Sequence, residues 1–175
     1  MICDPESQLI YIPFDTCPFK LGGSLLDELS GRSGGMAPNM KDPDYFIDCY
    51  DVVRELVEDG VVIAGMSVGD GGLATAARVM SQDCGFDLNI GGLMTSYQET
   101  YATKVLFGEV PGVLLQVCDV DYDYLDSQLT LQDVAYYPIG HPNPDKDGPC
   151  FMKEGKNGVA GILASLLGQA SEGED

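Results

Sequence analysis

Short apolar runs alternate along this chain with segments in which apolar residues recur every three or four positions. The first pattern is typical of buried strands, and the second of helices with one apolar face. Strands are predicted at 8–14, 61–66, 86–90, 112–118 and 133–139, and those at 61–66 and 112–118 are expected to be buried. Helices are predicted from Ser24, over 42–60, from about 71 to 82, over 95–107 and over 121–129. This alternation predicts an α/β architecture, with helices packed on a sheet.

The clearest helix is predicted between Asp42 and Gly60. Asp42 is a good N-cap, Pro43 suits the first helical position, and Gly60 is a typical residue just past a helix end. One apolar stripe is expected to face the core, and it consists of Phe46, Tyr50, Val53 and Val57.

Turn-forming residues dominate the chain after residue 140. The stretches PNPDKDG and EGKNG predict a break in regular structure from His141 onward. A short terminal helix is expected at 159–169, followed by a frayed acidic end. The predicted organisation is therefore one domain over residues 1–140 and a tail or linker over residues 141–175.

The composition suits one folded domain that does not bind polyanions. Apolar residues make up 45% of the 175 positions, and the formal net charge is −19. Such a field repels nucleic-acid phosphates and anionic membranes, so neither is expected as a partner. An anionic substrate would require Mg2+ or basic residues lent by another domain.

Cysteine spacing and the N-terminus both favour an intracellular setting. Six cysteines are present without a CxxC pair: Cys3, Cys17, Cys49, Cys84, Cys118 and Cys150. We expect free thiols rather than disulfides or a zinc site. The N-terminus shows no secretory signal pattern and the apolar runs are too short to span a bilayer, so the cytoplasm is the expected location.

Two glycine-rich turns each stand immediately before a predicted helix. Residues 62–80, VIAGMSVGDGGLATAARVM, run from a strand through Gly69–Gly72 into a helix, and KLGGSLLDEL at 20–29 repeats the order on a smaller scale. Free N–H groups at a helix start favour an anion, and glycine allows a phosphate to approach. The alternative is that each turn is only a tight turn and that Asp70 or Ser24 is an ordinary helix cap. The GDGG sequence alone favours this alternative over an anion site. The first basic residue after the second turn is Arg78, so a phosphate there would need help from elsewhere.

No catalytic residue is predicted. His141 is the single histidine and lies in a turn-rich stretch, where a solvated surface position is favoured over acid–base work. The acidic run 119–126 is better explained as a solvated helix face than as a metal site. No nucleophile with a partnering base and no GxSxG elbow is found.

Three stretches match one family in the order in which they occur. These are LGGSLLDEL (21–29), the segment from LVEDG to FDLNI (56–90) and KVLFGEVPGVLLQV (104–117). Together they resemble the C-terminal half of the ATP-utilising module of aminoimidazole ribonucleotide synthetase and its relatives. Within that superfamily the combination resembles most the phosphoribosylformylglycinamidine synthases of purine biosynthesis, over about residues 8–140.

The resemblance implies a fold and a reaction. The fold would be an α/β (α+β) sandwich, in which helices pack on a mixed sheet with a ferredoxin-like core. The reaction would be the ATP- and Mg2+-dependent conversion of formylglycinamide ribonucleotide to its amidine, with ammonia derived from glutamine. The implied partners are an ATP-binding half-module and a glutaminase domain, and a homodimer is only slightly favoured over a monomer.

The resemblance also assigns site residues. Nucleotide-, phosphate- or substrate-facing positions would be Gly22, Gly23, Ser24, Gly69, Asp70, Gly71 and Gly72. Asp70 and Glu109 would be the metal ligands.

The chain also departs from the family pattern. Relatives often carry His-Asp-x-Ser before Asp-Gly-Gly, whereas this chain has Met66, Ser67, Val68 and Gly69. Together with the missing ATP-binding half, this difference predicts that the isolated chain is inactive. Two alternatives stay open: a stand-alone acidic binding or scaffold domain, and another ATP-using member such as thiamine-phosphate kinase.

Overall fold

The computed structural model describes residues 1–31 and 35–151. The strands are β1 (Ser7–Pro13), β2 (Val62–Val68), β3 (Phe86–Leu88), β4 (Gly112–Cys118), β5 (Tyr137–Pro142) and β6 (Pro149–Phe151). The helices are α1 (Leu25–Leu29), α2 (Pro43–Glu58), α3 (Gly72–Met80), α4 (Gly91–Ser96), α5 (Ala102–Phe107) and α6 (Tyr122–Leu131), with a 3-10 turn at Asp119–Asp121. Within these ranges no helix is both long enough and apolar enough to cross a membrane.

All six strands form one sheet in the order β2-β4-β1-β5-β3-β6. Neighbouring strands are antiparallel except for β3 and β6, which are parallel. The predicted α/β class, with a mixed sheet and helices packed on it, is confirmed.

Strand β1 lies in the middle of the sheet and supplies both faces of the core. Leu9 and Tyr11 belong to one buried cluster, whereas Ile10 and Ile12 belong to the other. This division follows from the strand geometry, in which successive side chains point to opposite faces. All four side chains have no exposed surface.

Helices cover the two faces of the sheet unequally. On the face with Leu9, the buried contacts come from α3, α4 and α5, including Leu73, Leu93 and Leu106. On the face with Ile10 they come from α2 and α6, through residues such as Leu56 and Leu125. The result is a helix–sheet–helix arrangement.

Helix α2 begins as predicted but turns a different face to the core. The Asp42 side chain accepts a hydrogen bond from the Tyr45 N–H at 3.1 Å, as an N-cap should. The predicted stripe is half right: Phe46 and Val53 pack against the buried cluster, whereas Tyr50 and Val57 are 55% and 53% exposed. Cys49, Val52 and Leu56 are buried instead. Both sets have helical spacing, and the sequence does not tell which one the sheet covers.

Strand β2 is an edge strand, which corrects the expectation that it is fully buried. It pairs with β4 alone, and of its residues only Val68 is buried. Residues 61–66 include no charged residue, so their sequence resembles that of a fully buried strand. By contrast, β4 is buried along most of its length, as predicted.

The single helix expected over 95–107 is two helices. The chain between α4 and α5 includes Gln98, whose φ of 51° is in the left-handed region. The Glu99 carboxylate then accepts hydrogen bonds from the N–H groups of Thr100 and Tyr101, at 2.9 and 3.0 Å. These side-chain bonds compete with a continuous helix.

Regular structure continues past residue 141, where a break was expected. β5 includes His141 and Pro142, and β6 pairs with β3. The carboxylate of Asp87 bonds Lys146 and Asn143, and these bonds lower its pKa. The helix expected at 159–169 lies outside the described residues.

The cysteines are not all free, contrary to the prediction. Cys3 and Cys84 form a disulfide. Cys17 and Cys49 are buried free thiols, and Cys118 and Cys150 are partly buried ones. The bonded pair is 81 residues apart in sequence, a distance at which spacing gives no signal. The disulfide joins the N-terminal segment to the turn before β3.

Reducing this disulfide should destabilise the folded chain. Closing a loop of this length restricts the unfolded chain and is worth roughly 2–4 kcal/mol. We therefore expect Cys84→Ser to lower the melting temperature by about 5–15 °C. Dithiothreitol should lower the melting temperature of the wild type equally and leave that of the variant unchanged. Absence of a Cys3–Cys84 peptide in a non-reducing digest, followed by mass spectrometry, would contradict the pairing.

Candidate functional site

Three loops meet at one end of the sheet. Pro13, at the end of β1, and Val68, at the end of β2, both lie opposite Gly112, where β4 begins. The loop after β1 contains the first glycine turn, the loop after β2 contains the second, and Glu109 lies in the loop before β4. The antiparallel order of these strands therefore brings together residues that are far apart in the sequence.

Glu109 connects the two glycine turns directly. Its Oε1 accepts a hydrogen bond from the Leu25 N–H at 2.8 Å and another from the Gly71 N–H at 2.8 Å. Leu25 begins α1, and Gly71 is the N-cap residue of α3. A carboxylate near helix N-termini is favoured by the helix dipoles and by charge-assisted hydrogen bonding. The Glu109 carboxylate thus accepts hydrogen bonds from N–H groups at two helix starts, where the sequence predicts an external anion.

Two glycines of the second turn are required by the backbone. Gly71 and Gly72 have φ values of 77° and 66°, which side chains rarely adopt. A methyl group on Gly72 would also stand 2.6 Å from the carbonyl oxygen of Leu106. These glycines allow α3 to begin immediately after β2 while packing against the end of α5.

Gly22 has a comparable packing role in the first turn. A Cβ on Gly22 would lie 2.2 Å from the carbonyl oxygen of Gly35, and its N–H donates to Met36 O at 3.1 Å. By contrast, the α-carbons of Gly23 and Gly69 face open space. Only those two of the predicted glycines leave room for a ligand to approach.

The two polar residues of the turns differ in exposure. Ser24 is 1% exposed, and its Oγ accepts a hydrogen bond from the Asp27 N–H at 3.3 Å, so it is the N-cap of α1. Asp70 is exposed, and α3 has no side-chain cap. The alternative in which Asp70 simply caps the helix is therefore wrong.

The chain does not offer a complete metal site among residues 1–31 and 35–151, where no three potential ligands cluster. Carboxylate oxygens suit Mg2+, and Asp70 can present one toward solvent. Glu109 already uses one oxygen to hold the turns. Further ligands would have to come from phosphate oxygens or from outside the described residues.

Asp15, which no sequence pattern singled out, fixes the loop between β1 and the first turn. This carboxylate is fully buried and accepts hydrogen bonds from the N–H groups of Cys17 and Lys41, both at 2.7 Å. The bond to the residue two positions ahead is an Asx-turn, which the Asp-Thr-Cys-Pro order could have indicated. The bond to Lys41 depends on tertiary structure.

The comparisons with known proteins agree with this architecture. No family model matches the chain. A curated relative, a probable phosphoribosylformylglycinamidine synthase of Arabidopsis thaliana assigned to chloroplasts or mitochondria, is 31% identical over 124 residues. That match covers 70% of this chain and 8% of the relative, so the chain spans a small fraction of the relative's length.

Solved structures of Thermotoga maritima proteins share the fold. PurL complexed with FGAR has a TM-score of 0.67 at 12% identity and covers 89% of this chain and 27% of that one. PurL complexed with ATP has a TM-score of 0.63 at 11% identity, with coverages of 87% and 24%. PurLQS has a TM-score of 0.64 at 11% identity, with coverages of 86% and 24%.

The fold defines the chain as an α/β domain with the architecture of the Thermotoga maritima PurL structures, a mixed sheet with helices on both faces. In particular, it is a domain related to phosphoribosylformylglycinamidine synthase.

Substitution of Gly72 should be far more costly than substitution of Gly69. Gly72→Ala would combine a positive φ with a clash against the Leu106 carbonyl, and we expect a loss of about 2–4 kcal/mol in unfolding free energy. Gly69→Ala serves as the control and should change stability by less than about 0.5 kcal/mol, since it faces open space. Urea unfolding followed by circular dichroism measures both. Equal losses would contradict the assigned packing role.

Glu109 should stabilise the isolated domain without any ligand. Glu109→Ala leaves two N–H groups without their acceptor and should cost about 1–3 kcal/mol, whereas Glu109→Gln keeps an acceptor oxygen and should cost about 1 kcal/mol. Glu58→Ala, at the exposed end of α2, is a control expected within about 0.5 kcal/mol of wild type. Thermal unfolding in low salt compares the three variants. A Glu109→Ala variant as stable as the wild type would show that the carboxylate does not hold the turns.

Proposed function

We propose that this chain is a part of a phosphoribosylformylglycinamidine synthase, an ATP-dependent C–N ligase of purine biosynthesis. The observation that carries the proposal is the 31% identity over 124 residues with the Arabidopsis thaliana relative. Such a long match is much more specific than either glycine turn alone. The shared fold of the Thermotoga maritima PurL structures, including those complexed with ATP and with FGAR, supports the same proposal.

In the complete enzyme, formylglycinamide ribonucleotide would be converted to the amidine with glutamine-derived ammonia. ATP and Mg2+ would supply phosphoryl activation of the amide oxygen. This chain would contribute a glycine-lined surface, where Gly23 and Gly69 leave the backbone accessible. Asp70 would provide a carboxylate oxygen toward the metal, and Glu109 would fix the spacing of the two turns.

The charge distribution favours a site shared with other domains. The second turn, Gly69–Gly72, contains no lysine or arginine, Lys20 is the single basic residue in 20–29, and the chain has a net charge of −19. Phosphate groups would therefore require cations from an ATP-binding half-module, and ammonia would require a glutaminase domain. The isolated chain would be inactive, and the complete enzyme would act in the cytoplasm.

A binding or scaffold domain that has kept the fold without a nucleotide is a second candidate. One observation favours it: the Glu109 carboxylate already accepts from the Leu25 and Gly71 amides that an anion would use. In this case the turns would be purely structural. The two functions differ in what they predict for Asp70.

Asp70→Asn should reduce catalysis without changing stability. Asp70 is exposed, so the free energy of unfolding of this domain should change by less than about 0.5 kcal/mol. In the complete enzyme, loss of a carboxylate ligand should lower kcat/KM for ATP-dependent amidine formation by at least about tenfold, or about 1.4 kcal/mol of transition-state stabilisation.

Asp83→Asn is the matched control, since Asp83 is also exposed in a loop of this domain, and it should leave both quantities unchanged. Wild-type turnover of the Asp70→Asn enzyme would refute the role of Asp70. A complete protein that forms no amidine from formylglycinamide ribonucleotide would refute the enzyme proposal and leave the binding domain.

A further inference from the structure

The outer side of β2, which we call the β2 edge, is a free edge of the sheet. β2 stands at the end of the strand order and pairs with β4 on its inner side. Within residues 1–31 and 35–151, no further backbone hydrogen bond reaches residues 62–68 from a loop or a strand. The outward-facing N–H and C=O groups of β2 are therefore available to an additional strand.

The two edges of the sheet differ in how well they are protected. Natural sheets protect their edges with short strands, proline or charged side chains. At the opposite edge, β6 has three residues, begins with Pro149 and follows the charged segment 145–147. β2 has seven residues and contains neither proline nor a charged side chain. A long uncharged edge of this kind favours the binding of another strand.

The side chains along the β2 edge differ between the two faces of the sheet. Ala64 and Met66 pack against the buried cluster that includes Leu9, whereas Gly65 and Ser67 are exposed. The pairing with β4 is regular over this stretch. An added strand would therefore find apolar neighbours on one face and solvent on the other. A segment in which apolar and polar residues alternate fits this environment.

Exposed carboxylates stand at both ends of β2. Glu58 and Asp59 precede the strand and Asp70 follows it, and all three residues are exposed. The ten residues between Asp59 and Asp70 carry no charge, and the nearest basic residues along the chain are Arg54 and Arg78. A strand with a cation at each end would pair with these carboxylates. A second copy of this chain would bring the same carboxylates to the contact, so like charges disfavour it.

We propose that the β2 edge binds an extended segment of another polypeptide domain by strand addition. The segment would match β2 in length, would alternate apolar with polar residues and would carry lysine or arginine at both ends. Its backbone would supply hydrogen bonds to the outward-facing groups of β2, and its side chains would supply specificity. This surface consists of backbone groups outside the glycine turns, and the proposal does not depend on the proposed reaction.

Titration of the 15N-labelled chain with a synthetic peptide tests the proposal. The probe has a core of alternating threonine and valine that equals β2 in length, lysine pairs at both ends and blocked termini. We expect saturable chemical-shift changes and slower hydrogen exchange at outward-facing amides of residues 62–68, and neither at residues 149–151. Absence of saturation would overturn the proposal. So would changes confined to α2 and α6, whose carboxylates attract any cationic peptide.

Control peptides separate strand addition from charge attraction. Proline at two adjacent central positions removes an N–H from each edge of the peptide and keeps its charge, so saturable changes at residues 62–68 should disappear. Glutamate in place of every lysine should weaken binding at least about tenfold, because like charges then meet at both ends. Equal affinity of the proline peptide would indicate general attraction to an acidic chain and would overturn strand addition.

Substitutions in the chain test the acidic ends of the β2 edge. Glu58→Gln combined with Asp70→Asn should weaken the lysine peptide at least about fivefold, and should leave the weaker affinity of a peptide with serine in place of lysine unchanged. The matched control is Asp145→Asn combined with Asp147→Asn, which removes two exposed carboxylates before β6 and should change neither affinity. An equal loss in both double variants, or no loss in the first, would overturn the assigned role of the carboxylates.

Hydrogen exchange of the peptide-free chain distinguishes other occupants. Outward-facing amides of residues 62–68 should exchange rapidly at every protein concentration, since an unpaired edge is open to water. Protection that increases with concentration, together with a dimer in analytical ultracentrifugation, would mean that a second copy binds there. Protection that is independent of concentration would mean that this chain covers its own edge. Either result would overturn the proposal.

Discussion

The structure depends on the burial of β1, at every residue except Gln8, between two strands and two layers of helices. β1 pairs with β4 on one side and with β5 on the other, and its side chains enter both hydrophobic clusters. Its backbone groups are thereby satisfied by strand pairing while its side chains leave water, which makes the burial favourable. The ends of β1 and of its neighbours then determine where the loops meet, so the glycine turns and Glu109 lie at one end of the sheet.

The arrangement at that end explains how an acidic domain keeps two helix starts close together. The Glu109 carboxylate accepts hydrogen bonds from both, at Leu25 and at Gly71. An internal anion therefore takes two of the amides suited to a phosphate, and among the glycines of the two turns Gly23 and Gly69 alone border open space. The domain can thus be stable without a nucleotide and still present an accessible backbone to a ligand that other domains help to bind.

Much of the fold could be predicted from local patterns, but contacts between distant residues could not. The Asp42 cap, the buried β4 run and the alternation of strands and helices are short-range signals, and the structure confirms them. The buried face of α2 was not predicted correctly, because two sets of apolar residues have helical spacing. The edge position of β2 was not predicted, because an uncharged run resembles a central strand. The Cys3–Cys84 bond and the link from Asp15 to Lys41 join residues that no local spacing connects.

The sequence by itself determined the α/β class and the turn positions, because strand period, helix capping and glycine placement act over a few residues. The relationship to a purine-biosynthesis family came from the resemblance of three sequence stretches to that family. For the candidate site it supplied Asp70, Glu109 and the glycines as members. The Ser24 cap is local and was among the sequence predictions, whereas only the tertiary structure decided the other roles: Gly22 and Gly72 pack, Asp70 is exposed and Glu109 joins the turns. The physical reason is that strand order and antiparallel pairing, which a linear pattern does not encode, determine which N–H group meets which carboxylate.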